Sequence, residues 1–375
     1  MHLETMTTSI RPNWFASVMG TGIVANAAML LPYRSGVLTA IAVAFWIAAA
    51  ALLVTFVAAG ALQFAKHREL FRSHHHALEM APFYGAFSMG VLTVGSGALL
   101  AGSHILGTGP GVLIDSVLWT IGTLTGLVCA VGIPYMLFTE HQPSLEDAYG
   151  SWLMPIVPPM VSAAAAGALI PHLAAGQARL DLLYGSYAMF GISLVMAIIV
   201  IAILWARLAL HDVGEARMTP TLWIVLGPLG QSVTAACLLA KFAPAAVDPS
   251  SARVLHDFAL VYGIPIWGFA MAWLALSIAI TAKTARDHLP FAPTWWSFTF
   301  PLGTVVTGTS QLVAVSGLDI LRYIALVLYA GLVIAWVTVA ARTLVPWAAS
   351  VGSGQLRRSR RRGSTSAENW ASARS

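Results

Sequence analysis

Ten stretches of this chain carry no Asp, Glu, Lys or Arg, and each is long enough to cross a bilayer: residues 12–33, 35–65, 80–114, 116–139, 148–178, 182–206, 218–240, 258–282, 288–318 and 323–341. A membrane helix needs about 20 predominantly apolar residues to span the hydrocarbon core. Backbone groups inside lipid must find their hydrogen bonds within the protein, so such runs are helical. With 58% hydrophobic and 9% charged residues, the chain is read as an all-α polytopic membrane protein. Little sequence remains for anything else: a polar head at 1–10, a ten-helix membrane domain at 11–346 and a basic tail at 347–375 whose Ser/Gly/Arg composition reads as disordered. The functions open to it are transport, conduction, intramembrane chemistry or scaffolding. The lipid bilayer is its first partner, and no nucleic-acid partner is expected.

Charge distribution gives an orientation. With ten helices and both ends on one side, that side collects all but five of the 20 Lys and Arg residues; the five are Arg34, Arg179, Lys241, Arg253 and Arg322. The positive-inside rule then places the N- and C-termini in the cytoplasm, with the protein in the cell membrane. The first apolar stretch has no small-residue cleavage site, so no signal peptide is expected. Cys129 and Cys237 fall mid-helix and read as packing thiols. His74, His75 and His76 lie in a charged loop with no second ligand cluster, so no metal site is expected. The run Arg357, Arg358, Arg360, Arg361 and Arg362 fits either a topology-fixing tail or a contact with anionic headgroups.

Short turns join the stretches into five hairpins. The odd-numbered stretches share a pattern: an aromatic residue at the head and a Gly or Pro six positions later. The pairs are Trp14 and Gly20, Tyr84 and Gly90, Trp152 and Pro158, Trp295 and Pro301; in the seventh, Pro228 and Gly230 flank the sixth position after Trp223. Repeated units imply repeated geometry. Five like hairpins can close into a quasi-five-fold ring around a central pore, with the broken, polar-dotted helices inside and the smooth Ala/Val/Ile/Leu rods facing lipid. Freed backbone groups at Gly and Pro are tolerated only against protein or a water-filled cavity. The lining candidates are Ser17, Gly20, Thr21, Ser88, Gly90, Thr93, Pro158, Ser162, Gly230, Gln231, Ser232, Pro301 and Thr304. Helix packing through small residues is the alternative role for each glycine.

No acidic or basic residue lies in the middle of an odd stretch. Proton relays and cation-coupled sites ordinarily need one. A neutral lumen binds ions weakly, and weak binding suits passage. Amide N–H groups, hydroxyls and helix N-termini favour anions, and the absence of acidic rings argues against a cation pore. In the ninth stretch Phe300 directly precedes Pro301. A ring there either packs in the core or, turned inward, plugs a narrow lumen.

Four segments in order, Pro12-Asn-Trp-Phe-Ala-Ser-Val-Met-Gly-Thr-Gly22, Trp152-Leu-Met-Pro-Ile-Val-Pro-Pro-Met160, Leu226-Gly-Pro-Leu-Gly-Gln-Ser232 and Trp295-Trp-Ser-Phe-Thr-Phe-Pro-Leu-Gly303, resemble the tellurite-resistance/dicarboxylate transporter family. That family includes bacterial tellurite-resistance proteins, fungal malate permeases and sulfite exporters, and plant guard-cell slow anion channels. The likeness covers nearly the whole membrane part. It implies ten helices in five hairpins about a central pore, often in a homotrimer, and a pore-blocking Phe on the ninth helix, a place that Phe300 matches best. The tail and head match nothing in the family, so kinase control is not implied.

The resulting expectation is transmembrane passage of small anions, such as malate, sulfite, chloride or nitrate, through an uncharged pore gated by Phe300. No cofactor and no catalytic residue are expected. Two other readings stand beside it. A proton-coupled exporter of C4-dicarboxylate or sulfite needs a titratable group on the route, for which His104 and Glu140 are the candidates. A membrane enzyme or scaffold is the other; an enzyme of the Ser–His–Asp kind needs His and Asp at shared depth, whereas His104, His172, His211, His256 and His288 fall at the ends of the stretches, as do Asp115, Asp181, Asp257 and Asp319.

Overall fold

The computed structural model describes residues 11–66 and 80–344. The polar head, the loop holding His74, His75 and His76, positions 345 and 346 of the membrane domain, and the basic tail lie outside the described residues.

The principal helices, in chain order, are α1 (Phe15–Leu30), α2 (Gly36–Lys66), α3 (Tyr84–Gly97), α4 (Thr108–Thr139), α5 (Pro158–Leu169), α6 (Gln177–Leu210), α7 (Leu226–Phe242), α8 (Pro249–Arg286), α9 (Phe300–Ser316) and α10 (Asp319–Leu344). Helix α3 runs on through a π-helical turn at Ala98–Gly102 and a last turn at Ser103–Leu106. Eight of the resulting spans are long and apolar enough to cross a membrane, which makes the chain a multi-pass membrane protein. The other two, α1 with 16 residues and α5 with 12, are shorter. At 1.5 Å per residue α5 covers only about 18 Å of a core about 30 Å thick.

Charge-free stretches and helices have different ends. Helices α6 and α8 overrun theirs at both ends, taking in Arg179, Asp181 and Arg207 in one case and Arg253, Asp257, Lys283 and Arg286 in the other. A charge marks where lipid stops; the helix continues into the interface, where long side chains reach water. The stretch at 148–178 is helical only in its middle. Pro158 lacks an N–H and Pro171 ends the run, with short 3₁₀ turns at Gly150–Leu153 and Ile170–His172 filling the flanks.

The aromatic-to-Gly/Pro repeat has a backbone counterpart. Each odd helix is entered through a 3₁₀ segment: Pro12–Trp14, Ala81–Phe83, Gly150–Leu153, Ala216–Val225 and Pro293–Phe298. Burial separates the two kinds of helix. In the spans containing α7 and α9, 94% and 89% of the most apolar window is buried, against 22% for α2 and 17% for α10. Helix α1 packs on α3, α3 on α5, α5 on α7, α7 on α9, and α9 back on α1.

Tryptophans tie the exposed helices to the buried ones. Trp46 of α2 donates to the Val94 carbonyl of α3 at 3.0 Å, Trp119 of α4 to the Ser162 carbonyl of α5 at 2.9 Å, Trp267 of α8 to Thr309 of α9 at 2.9 Å, and Trp336 of α10 to Thr21 of α1 at 3.0 Å. In each case an even helix reaches the odd helix of the next hairpin, and the last reaches the first. Helix α6 makes its tie backwards: the Ser193 hydroxyl donates to the Ile156 carbonyl at 2.5 Å and accepts the Met160 N–H at 3.0 Å. The Ile156 carbonyl lies just before the break at Pro158, and the Met160 N–H also donates to the Val157 carbonyl at 2.9 Å. Lipid tails are as apolar as the side chains, so helix association here rests on close packing and such hydrogen bonds. Glycines permit the closest crossings: a Cβ at Gly230 would stand 2.5 Å from the Thr304 carbonyl carbon, and one at Gly308 would stand 2.8 Å from the Gly230 carbonyl oxygen.

Candidate functional site

The five buried helices enclose a cavity of about 280 Å³. Every one of them contributes: Ile23 and Asn26 from α1, Thr93 and Ser96 from α3, Val161 and Ala164 from α5, Gln231 and Thr234 from α7, Phe300 and Thr307 from α9. Arg34, His104 and Lys241 stand where α1, α3 and α7 end, so the cavity opens on the face opposite the start of α1. Its lining holds no Asp or Glu. Among the described residues, neither Arg34 nor Lys241 has a carboxylate partner within salt-bridge distance. The Lys241 ammonium lies over the Phe242 ring, 5.3 Å from its centroid.

Phe300 is the floor. It is 2% exposed and also lines a second, far smaller chamber on the other side. Met19, Met89, Met154, Val157, Ile224 and Pro301 are among the walls of that chamber, drawn again from the same five segments. Its volume is about 10 Å³, at the lower limit of the roughly 10–15 Å³ that a single water requires. The space against Phe300 is therefore roomy in the large cavity and scant in the small chamber.

The chain around Phe300 is held tightly. The 3₁₀ segment ends at Phe298, and Pro301 occupies the first turn of α9, where its missing N–H costs nothing. Gly20 of α1 sits against Thr299 and Trp296, and Gly303 sits against Ile23. A side chain at either glycine would push α1 away from the start of α9.

The residues singled out in the sequence have several environments. Phe300, Thr93 and Gln231 line the larger cavity, and Phe300 and Pro301 line the smaller chamber. The others sit at helix seams. Ser17 donates to the Trp14 carbonyl, Ser162 to Pro158, Ser232 to Leu229, and Thr304 to Pro301 and Leu226. Ser88 donates to the Gly122 carbonyl of α4, and Thr21 faces Trp336. Gly90 packs on Val18, Pro158 lies beside Gly126, and Gly230 rests on the backbone of α9. Mid-helix hydroxyls fold back on carbonyls three or four residues earlier, which explains why so few of them point into open space.

Asn26, Thr234, Thr307, Arg34 and Lys241 line the cavity without having been singled out as lining residues. One signal for them exists. Gln231, Thr234, Leu238 and Lys241 recur at helical spacing and so share one face of α7, a polar stripe running from the floor to the mouth. His104 lines the mouth, whereas Glu140 caps the far end of α4. Asp115 lies two turns inside α4, buried against Gly95 of α3, with neither carboxyl oxygen hydrogen-bonded.

Comparison with known proteins agrees with this geometry. Residues 9–344 match the voltage-dependent anion channel (SLAC1) family. A sulfite efflux pump of Arthroderma otae is 28% identical over 312 residues, covering 81% of this chain and 82% of the relative. An uncharacterised transporter of Methanocaldococcus jannaschii is 26% identical over 346 residues, covering 92% and 94%. A malic acid transport protein of Schizosaccharomyces pombe is 25% identical over 299 residues, covering 77% and 67%. These relatives are transport proteins and not enzymes. The membrane-embedded chain described here belongs to the voltage-dependent anion channel (SLAC1) family.

Proposed function

We propose that this protein passes small anions across the cell membrane through a central route closed by Phe300. The chain from 11 to 346 forms one domain of ten membrane-crossing helices, five hairpins arranged in a quasi-five-fold ring with the odd helices inside. The closed order of contacts from α1 round to α9, and the Trp ties that return from α10 to α1, support that arrangement. Both termini lie in the cytoplasm, so the large cavity opens outward, and three copies associate as a homotrimer. The observation that carries the reading is that Phe300 lines both the large cavity and the small chamber, each walled by the same five segments. The substrate is a small oxyanion, sulfite or a C4-dicarboxylate, in keeping with what the named relatives handle.

The test is anion flux in proteoliposomes for the parent and for Phe300→Ala. Removal of the ring is expected to raise flux of sulfite, malate or chloride well above the parent. Equal flux in the two proteins, with equal incorporation, would reject Phe300 as the closure. A second reading, proton-coupled export, draws on His104, a titratable side chain at the mouth of the cavity. Flux that is indifferent to collapse of an imposed pH gradient removes it.

A further inference from the structure

Passage alone does not account for the uneven chemistry of the large cavity. Its threonine hydroxyls are committed: Thr93 donates to Met89, Thr234 to Gly230, and Thr307 to Thr304. Gln231 is different. It is 6% exposed, its Oε1 is sealed into the wall without a partner, and its amide nitrogen makes no hydrogen bond to the protein. Gln231 also lies close to the closure, since Gly230 beside it rests on Thr304, one helical turn beyond Phe300. The same face of α7 ends at Lys241, about 15 Å higher by the helical rise. Arg34 stands at the end of α1 beside that mouth.

We infer that this cavity is an oxyanion-binding station in front of the Phe300 closure, in which the Gln231 amide is the inner donor and Lys241 with Arg34 the outer collectors. The inference rests on the anion pathway proposed above and adds where, and by which groups, the anion waits. An uncommitted N–H donor at the end of a cationic funnel without acidic side chains favours a negative solute. The rest of the wall is mostly apolar, with Leu30, Leu99 and Leu238 among it. A halide stripped of water there finds too few donors to replace its shell. An anion with several oxygens engages Gln231 through one of them while the others keep water or reach toward the cations, and about 280 Å³ leaves room for both. Sulfite and short carboxylates share this chemistry.

The experiment is calorimetric titration of the intact, detergent-solubilised protein with Phe300 in place, using sulfite, malate and chloride in separate arms at fixed ionic strength. The expected result is saturable binding of sulfite, malate or both, and none for chloride at the same concentrations. Gln231→Leu is expected to weaken the oxyanion about tenfold, and Lys241→Gln to weaken it several-fold with a shallower salt dependence. Oxyanion affinity unaltered in Gln231→Leu, or chloride bound as tightly as the oxyanions, overturns the station. No saturable oxyanion binding to the parent overturns it directly and needs no variant to fold. The outcome separates from the gate: flux through Phe300→Ala without oxyanion binding leaves the pathway standing and removes the station, while binding with no flux in Phe300→Ala does the reverse.

Discussion

Gly230 and Gly227 lie three residues apart in α7, and a methyl group added to each is expected to have opposite effects. At Gly230 the new Cβ would stand 2.5 Å from both the Thr304 carbonyl carbon and the Val305 nitrogen. Ordinary contact begins at 3.4 Å, so α9 would have to retreat by about 0.9 Å. Both atoms are backbone, and no side-chain rotation relieves them. The same seam carries the Thr304 hydroxyl to the Leu226 carbonyl at 3.0 Å and the Thr234–Thr307 hydroxyl pair at 2.7 Å. A retreat of that size takes the first bond out to about 3.9 Å, beyond hydrogen-bonding range. Overpacking costs about 1–3 kcal/mol, and interhelical hydrogen bonds in membranes average about 0.6 kcal/mol each. Gly230→Ala should therefore lose about 2–4 kcal/mol. At Gly227 nothing lies within 4 Å of the added Cβ. Gly227→Ala should gain roughly 0.5–1 kcal/mol from the lost flexibility of the unfolded chain. Thermal unfolding in detergent, followed by size-exclusion chromatography of the heated samples, reads both. Gly230→Ala with the parent's midpoint would refute the packing argument, and so would Gly227→Ala falling below it.

Two further substitutions probe the seams. Trp336→Phe removes the donor to Thr21 that ties α10 to α1; a loss of about 0.6–1.7 kcal/mol is expected, read as a lower midpoint in the same assay, and an unchanged midpoint means the bond is idle. Ser193→Ala takes away the hydroxyl donor of the buried Ile156 carbonyl, while the Met160 N–H keeps the Val157 carbonyl as acceptor, so it should cost about 1–3 kcal/mol, and Ser193→Thr should restore part of it. Equal effects of Ser193→Ala and Ser193→Thr would argue that the hydroxyl does not bridge the break.

The division into buried and lipid-facing helices was legible because lipid imposes one rule on every outward position, and the smooth runs in α2 and α10 obey it. The break at Pro301 and the place of Phe300 beside it were legible too, since proline restricts backbone wherever it stands. The lining was much less so. Ser88, Ser162 and Thr304 look like lumen hydroxyls in sequence, yet each spends its hydrogen on a helix carbonyl. Sequence supplies the residue type but not the azimuth of a helix buried on every side, where the apolar stripe that ordinarily marks orientation is missing. Helix α7 is the instructive exception, because Lys241 at its end marks the open face and Gln231 can be counted back from it. The seam tryptophans escaped notice for the reverse reason. Nothing in the sequence names a partner for Trp46, Trp119, Trp267 or Trp336, and only the fold reveals that each indole N–H meets the next hairpin.

The placement of charge follows from what a route of this kind must do. A unit charge 10 Å from an anion in surroundings of effective dielectric about 20 contributes about 1.7 kcal/mol. Two cations at a mouth partly open to water supply a fraction of that, sufficient to enrich anions several-fold near the entrance. The same cations beside Phe300, in a drier place, would hold the anion too long for passage. Arg34 and Lys241 stand at the mouth, and the polar side chains deeper in the lining, Gln231 among them, are neutral. Below the floor the methionines Met19, Met89 and Met154 close the chamber with unbranched, adaptable side chains. Phe300 is the stiffer member of that closure, with two torsions and a planar ring. The large cavity lies on one side of it and almost no space on the other. On the proposed pathway, the room available to a ring that swings aside is the large cavity, the same space in which the anion is collected. On that proposal opening and occupancy compete for one volume, and an anion held close to Gln231 would resist the swing of the ring until it moves back toward the mouth.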